Sequence, residues 1–135
     1  MASDTVLIID DDEMDTRLVQ RALERQPSLR EVEVFHDAAS ALERLRKSEL
    51  QAPLFVLLDL NMPGMNGFEF LGAMKTDDAM GLTPVVVWTT SDAQQDRREA
   101  YARGASGYFV KPSRFQEIVD TLGVVDTYWT RARRP

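Results

Sequence analysis

The apolar residues of this chain follow two patterns, one continuous and one interrupted. Three segments of strand length, residues 6–9, 54–58 and 85–88, are apolar at every position. Continuous runs of this kind indicate strands that are covered on both faces, as in the middle of a parallel sheet. Residues 31–35 alternate between acidic and apolar side chains, and the run at 107–110 is short. These two segments are therefore predicted to be edge strands.

Between the strands, apolar side chains recur three and four positions apart, which is the spacing of one face of a helix. Four such stripes are present: Leu18, Val19, Ala22 and Leu23; Ala38, Ala41, Leu42 and Leu45; Phe68, Leu71 and Met74; and Phe115, Ile118, Val119, Leu122 and Trp129. The mostly polar stretch 92–103 is predicted to be a further, loosely packed helix. Ser113, followed three positions later by Gln116, predicts a capping box at the start of the last helix.

Five strands in alternation with five helices predict an α/β fold, a doubly wound parallel sheet with helices on both faces. Right-handed crossovers and the two edge strands favour the order 2-1-3-4-5, as in a flavodoxin-like sandwich. Ligands of such sheets bind outside the carboxyl ends of the strands, where the winding reverses between strands 1 and 3. The polar residues that follow the strands are Asp10, Asp11, Asp12, Asp59, Thr89, Thr90, Ser91 and Lys111.

These polar residues predict a particular chemistry. Two unit charges separated by 4 Å repel by about 4 kcal/mol at an effective dielectric of 20, so clustered carboxylates favour a hard divalent cation, Mg²⁺ or Mn²⁺. Lys111 adds an ammonium group that is suited to a phosphoryl oxygen or to Asp59, and Thr89 adds a hydroxyl donor. Together these groups predict phosphoryl transfer onto an aspartate.

The composition narrows the possible functions. The 135 residues contain no cysteine and one histidine, His36, which excludes disulfide scaffolds, thiolate metal sites and sites with two imidazoles. There are 22 acidic and 16 basic side chains, and Arg131, Arg133 and Arg134 lie among the last five residues. The rest of the chain is strongly acidic, so nucleic acid is not an expected partner. The first apolar run is too short for a signal peptide or a membrane span, and we expect a cytoplasmic protein.

Four motifs follow or contain the predicted strands: IIDDD, LLDLNMPGMNG, PVVVWTTS and GYFVKP. With these motifs the chain resembles the receiver domains of response regulators over roughly residues 5–125. The resemblance implies that Asp59 accepts a phosphoryl group from a sensor histidine kinase. It also implies that Asp10 and Asp11 position Mg²⁺ beside Asp59, with the backbone carbonyl of Asn61 as a further ligand.

The same resemblance assigns roles to the remaining polar residues. Thr89 would bind the phosphoryl group and signal its presence, and Lys111 would contact a phosphoryl oxygen. Tyr108 occupies the position of an aromatic switch that turns inward after phosphorylation, and a cis peptide bond is implied before Pro112. Such a protein assists its own phosphorylation and dephosphorylation and is not otherwise an enzyme.

Three features resemble the phytochrome-associated single-domain regulators of bacteria and cyanobacteria: Asp15, the PVVVWTTS segment and the extension with Tyr128 and Trp129. Those regulators commonly begin the site with Glu-Asp-Asn, where this chain has three aspartates. The resemblance implies a bacteriophytochrome as the kinase. It divides the chain into a receiver domain, residues 1–125, and an extension of the last helix with a basic tail, residues 126–135, without an effector domain.

The last helix is predicted to run from about residue 113 to beyond residue 129, farther than its neighbouring strand requires. Its far end carries Val124, Val125, Tyr128 and Trp129. These side chains either fold back onto the first helix or form a symmetric homodimer. The resemblance implies a homodimer through helix 4, strand 5 and helix 5, the face that would also carry the signal.

Two other functions remain open. A phosphatase of the haloacid dehalogenase type also uses an aspartate at a strand end with Mg²⁺, but it requires an acid two residues later, where this chain has Asn61. A phosphate-independent interaction module would have lost this chemistry, whereas every expected site residue is present. Taken singly, Asp59 could be a turn residue, Asp11 or Asp12 a helix cap, and Lys111 a solvated charge.

Overall fold

A computed structural model describes residues 5–28, 30–47 and 51–133 of the chain. It contains five strands: β1 (Thr5–Ile9), β2 (Glu31–Phe35), β3 (Phe55–Leu58), β4 (Val85–Thr89) and β5 (Gly107–Val110). All neighbouring pairs are parallel, and the strand order is β2-β1-β3-β4-β5. The predicted sheet, its order and its two edge strands are therefore confirmed.

Five α-helices connect or follow the strands: α1 (Glu13–Glu24), α2 (Ala38–Arg46), α3 (Gly67–Lys75), α4 (Gln94–Ala102) and α5 (Phe115–Arg131). A short 3-10 turn, Met80–Leu82, lies between α3 and β4 and was not predicted. The helix α4 buries only Ala100, in agreement with the prediction of a loosely packed helix. None of the helices in the described ranges is both long enough and apolar enough to cross a membrane.

The two faces of the sheet are covered by different helices. Along β1, Val6 and Ile8 belong to a buried cluster with side chains of α1 and α5, whereas Leu7 and Ile9 belong to a cluster with α2, α3 and α4. The central strands β1, β3 and β4 are buried at every position, because each has a helical layer on both sides. These strands therefore present no side chain to solvent along their length, and their polar neighbours lie in the loops at their ends.

The starts of three helices show where local sequence signals succeed and where one fails. Asp12 caps α1 and Asp37 caps α2, each through its side chain. The capping box predicted at Ser113 is wrong. Because Ile118 N donates to Arg114 O, Arg114 is the residue at the N-cap of α5, and its side chain makes no capping bond. Ser113 lies one position too early for its hydroxyl to reach the free amide groups of the first turn.

The far end of α5 is held to the sheet by a buried ion pair. The 17 residues of α5 correspond to a length of about 25 Å. Arg30, which precedes β2, donates from Nε to Asp126 Oδ1 at 2.9 Å and from an Nη atom to the Thr130 hydroxyl at 2.6 Å. The side chains of Arg30 and Asp126 are only 6% and 7% exposed. This contact fixes the last two turns of α5 against the body of the protein.

Candidate functional site

The register of the central strands places two acidic residues side by side. Ile9 pairs with Leu58 at the ends of β1 and β3, so the next residue of each strand is an aspartate, Asp10 or Asp59. The amide of Asp59 donates to the Ile9 carbonyl at 2.9 Å, which continues the ladder to the edge of the sheet. Both carboxylates are buried, with residue exposures of 3% and 7%. The two aspartates therefore lie side by side at the carboxyl ends of β1 and β3, where the sequence predicts a crevice.

Three carboxylates meet in this crevice. Asp10, Asp11 and Asp59 each contribute an oxygen, and these oxygens all lie within 4.8 Å of one another. Asp11 is exposed, whereas the other two are buried. An all-oxygen donor set with one side open to solvent fits Mg²⁺ or Mn²⁺, which retain bound water and prefer carboxylate ligands.

Lys111, directly after β5, brings an ammonium group into the same crevice. Its Nζ donates to Asp10 Oδ2 and to Asp15 Oδ2, at 2.7 Å each, and lies 3.5 Å from Asp59 Oδ2. The backbone of Lys111 is fixed by a bond of 2.7 Å from its amide to the Thr89 carbonyl. The lysine therefore faces the carboxylates from a position set by the β4–β5 ladder, and it is not a solvated surface charge.

The electrostatics of the site combine burial with ion pairing. Burial raises the pKa of Asp10 to about 6, although bonds from Lys111 and from the Asp12 amide oppose this shift. Burial alone would lower the pKa of Lys111, but its bonds to Asp10 and Asp15 raise the pKa above its ordinary value. The lysine is therefore a cation at neutral pH, surrounded by acidic groups.

Thr89 is the last residue of β4, and it is fully buried. Its Oγ1 accepts a long bond of 3.4 Å from the Ser91 amide. In the described residues this hydroxyl donates to no protein acceptor, which leaves a buried donor available at the strand end. A phosphoryl oxygen would satisfy this donor.

Tyr108 lies on the edge strand β5 and is bonded to the loop that follows Thr89. Its hydroxyl donates to the Ser91 carbonyl at 2.9 Å, two residues after Thr89, and its ring packs on the cluster beneath α3 and α4. Burial raises the pKa of Tyr108 above its ordinary value, so the hydroxyl remains a donor at neutral pH. A movement of the loop that follows Thr89 would therefore change the contacts of the Tyr108 ring.

The loop after β3 is shaped by a close backbone approach. A Cβ atom on Gly67 would lie 2.7 Å from the Asp59 carbonyl oxygen, so this position requires glycine. Asn66 caps α3 in a capping box with Glu69, which fixes the end of the loop. Asn61 is exposed, and its amide lies 3.4 Å from Asp59 Oδ1. The loop thus returns to Asp59 and keeps Asn61 next to it.

One feature implied by the receiver resemblance is corrected, and two contacts were missed. The peptide bond before Pro112 is trans. The trans preference of an X-Pro bond is only about 0.5–1 kcal/mol, so the surroundings decide the isomer and the local sequence does not. The Asp15 contact to Lys111 was not predicted, nor was a contact of 3.1 Å between His36 Nδ1 and the Asp10 carbonyl. An acid at the first turn of α1 was the only sequence signal for the former.

Comparison with known proteins adds independent information. A sequence profile described as "Response regulator receiver domain" matches residues 6–123. Among curated relatives, "Probable methanogenesis regulatory protein FilR2" of Methanothrix harundinacea is 34% identical over 127 residues, covering 92% of this chain and 82% of the relative. The chain spans only 52% of the length of some other curated relatives that it matches.

Two solved structures resemble this one over nearly its whole length. The phosphorylated cyanobacterial phytochrome response regulator RcpA is 28% identical, with a TM-score of 0.90 and 99% of both chains covered. The Mn²⁺-bound form of response regulator Rcp1, from Synechocystis sp., is 26% identical, with a TM-score of 0.85, 97% of this chain and 98% of that chain covered. The sequence profile, the curated relatives and the solved structures therefore agree with one another.

Proposed function

This chain belongs to the family of response regulator receiver domains, and we propose that it accepts a phosphoryl group on Asp59 from a sensor histidine kinase. The observation that carries the proposal is the convergence of three carboxylates and one ammonium group at the carboxyl ends of the strands. Receiver domains are generally signalling modules and not enzymes. The proposed role is accordingly that of a regulator in a two-component phosphorelay.

The proposed step is an in-line displacement at phosphorus. An oxygen of the Asp59 carboxylate forms a bond to phosphorus, the bond between phosphorus and the imidazole nitrogen of the kinase breaks, and the electron pair stays with the imidazole. Lys111 lies within ion-pair distance of Asp59 and can stabilise the negative charge on a phosphoryl oxygen. Thr89 supplies a hydroxyl donor on the adjacent strand.

The carboxylates of Asp10, Asp11 and Asp59, with the backbone carbonyl of Asn61, are the proposed ligands of Mg²⁺ or Mn²⁺. A divalent cation, when bound, neutralises charge on the transferring phosphoryl group. The Mn²⁺-bound structure of Rcp1 supports this proposal by similarity. The close packing of the acidic oxygens supports it physically, because their mutual repulsion is relieved by a cation.

Thr89 and Tyr108 form the proposed switch. The hydroxyl of Thr89 would turn to a phosphoryl oxygen, and the loop that carries Ser91 would follow it. Because the Tyr108 hydroxyl is bonded to the Ser91 carbonyl, this movement would change the position or the mobility of the ring on β5. The face formed by α4, β5 and α5 would then present a different surface to partners.

Incubation with a small phosphodonor such as acetyl phosphate tests the proposed function. With Mg²⁺ present, we expect the intact mass to rise by one phosphoryl group, and the product to be labile in acid and base. Removal of Mg²⁺ with a chelator should abolish the labelling, because the site would then keep its uncompensated negative charge. A phosphatase would instead consume the donor catalytically without retaining phosphate, and an inert interaction module would do neither.

The proposed kinase is a phytochrome. The supporting observation is the similarity over the whole chain to RcpA, whose description names it a phytochrome response regulator. The sequence features Asp15, Tyr128 and Trp129 point to the same subfamily. FilR2 is described as a methanogenesis regulator, so the light-sensing pathway is a narrower proposal than the receiver chemistry.

We also propose that the chain forms a homodimer through α4, β5 and α5. Six large hydrophobic side chains are well exposed among the described residues, and four of them lie on these three elements: Tyr101, Val110, Val124 and Tyr128. A groove between β5 and the end of α5, lined in part by Phe109 and Trp129, adds further apolar surface. Trp129 packs partly onto the core, as expected if the side chains at the end of α5 fold back onto the protein. Tyr128 does not fold back, since it is 60% exposed.

The dimer is tested by light scattering after size exclusion, with and without beryllofluoride. We expect a molar mass above that of the monomer, and we expect Val124→Ser to lower it because the change removes apolar surface from the interface. Leu82→Ser is the matched control, since Leu82 is exposed to a similar extent but lies in the 3-10 turn. A monomer in both states at micromolar concentrations would contradict the proposal.

A further inference from the structure

Asp15 lies in the first turn of α1, and its carboxylate makes one of the two short contacts of the Lys111 ammonium group. Lys111 Nζ is 2.7 Å from Asp10 Oδ2 and 2.7 Å from Asp15 Oδ2, whereas Asp59 Oδ2 lies at 3.5 Å. Charge-assisted bonds between nitrogen and oxygen are usually about 2.7–2.9 Å long. The ammonium group is thus bonded to two other acids, close to the acceptor oxygen but not bonded to it.

The capping of α1 does not account for the position of the Asp15 carboxylate. Asp12 is the N-cap, and Asp15 contributes only its backbone amide to the capping bond. The Asp15 carboxylate instead spans 96 positions of sequence to reach Lys111, and in the described residues it bonds no other group. Its side chain is 30% exposed, so packing does not force it into this position either.

We propose that Asp15 is a positioning residue that holds the Lys111 ammonium away from the acceptor oxygen of Asp59. A lysine has a flexible stem and three donors, so it moves readily between carboxylates. Without Asp15, the nearest remaining acceptor for the freed donor is Asp59 Oδ2. A short Lys111–Asp59 bond would occupy the oxygen that has to attack phosphorus or contact a cation. This inference rests on the proposed function of Asp59.

Asp15→Ala tests the inference, because it removes both oxygens that can accept from Lys111, whereas the amide oxygen of asparagine would still accept. We expect the rate constant for phosphorylation by acetyl phosphate at saturating Mg²⁺ to fall about 10-fold, as for other residues that orient a reacting group through a neighbour. Asp15→Glu should restore part of the rate. Glu13→Gln is the matched control, since it removes one charge from the same turn without touching Lys111, and its rate should not change.

A structure of metal-free Asp15→Ala provides a readout that does not depend on phosphorylation. We expect the distance between Lys111 Nζ and Asp59 Oδ2 to shorten from 3.5 Å to a normal hydrogen bond. An unchanged distance would overturn the inference. So would a variant whose only defect is a higher Mg²⁺ requirement, because that is the effect of a missing charge and not of a misplaced lysine. If the unaltered protein is not phosphorylated at all, the proposed function fails instead.

Discussion

Asp59→Asn is expected to abolish the incorporation of acid- and base-labile phosphate. Asparagine has nearly the shape of aspartate, but its amide is not nucleophilic and cannot form the acyl phosphate. Asp10 is not expected to replace Asp59, since it is bonded through both oxygens to Lys111 and the Asp12 amide. Intact mass spectrometry after incubation with acetyl phosphate and Mg²⁺ measures the loss directly.

The fold should survive this substitution, because it removes one charge from a cluster of mutually repelling acids. The free energy of unfolding in urea is the check, and we expect it to be unchanged or higher. Asp92→Asn, in the loop after β4, makes the same chemical change away from the carboxylate cluster and should leave labelling intact. Undiminished labelling of Asp59→Asn would show that another residue is the acceptor.

Asp126→Ala is expected to lower the free energy of unfolding by about 3–5 kcal/mol, the usual effect of removing one partner of a buried ion pair. The lost carboxylate accepts from Arg30 Nε at 2.9 Å, and both side chains are nearly inaccessible to water. The free energy is obtained from urea unfolding monitored by circular dichroism. The end of α5 would lose its attachment near β2, so hydrogen exchange should also increase there.

Two further variants separate ion pairing from other effects of this change. Glu13→Gln breaks the exposed ion pair between Arg17 and Glu13, whose side chains are 62% and 70% exposed. This change should lower the free energy of unfolding by at most about 0.5 kcal/mol. Replacing Arg30 and Asp126 together with apolar residues of similar size should recover much of the loss, because no charge then remains buried. A small effect of Asp126→Ala would mean that the ion pair does not fix α5.

The fold could be predicted because burial leaves a direct trace in the order of apolar residues. The runs 6–9, 54–58 and 85–88, most of which lie in β1, β3 and β4, have no polar position, and this pattern is typical of strands covered on both faces. The site followed from topology, since the carboxyl ends of neighbouring parallel strands meet at one edge. The positions of Asp10, Asp59 and Lys111 needed no further information.

The contacts that could not be predicted depend on where a helix lies over the sheet. Whether Asp15 reaches Lys111 is decided by where the start of α1 lies relative to the end of β5, and sequence spacing does not report that placement. The pairing of Arg30 with Asp126 could not be predicted either, because in the sequence each residue has the appearance of an ordinary surface charge. The capping box predicted for α5 was wrong because the N-cap is Arg114, one residue after Ser113.

The wide sequence separation of the Lys111 contacts affects how the protein is made. The bonds from Lys111 to Asp10 and Asp15 close gaps of 101 and 96 residues. At a synthesis rate of about 5–20 residues per second, the ribosome adds the lysine roughly 5–20 s after Asp10. During that interval the nascent chain carries the acidic residues that follow β1 and β3 without the cation that pairs with them. The proposed phosphoryl site is therefore among the last parts of the protein to form, and we expect a chain interrupted before β5 to accept no phosphoryl group on Asp59.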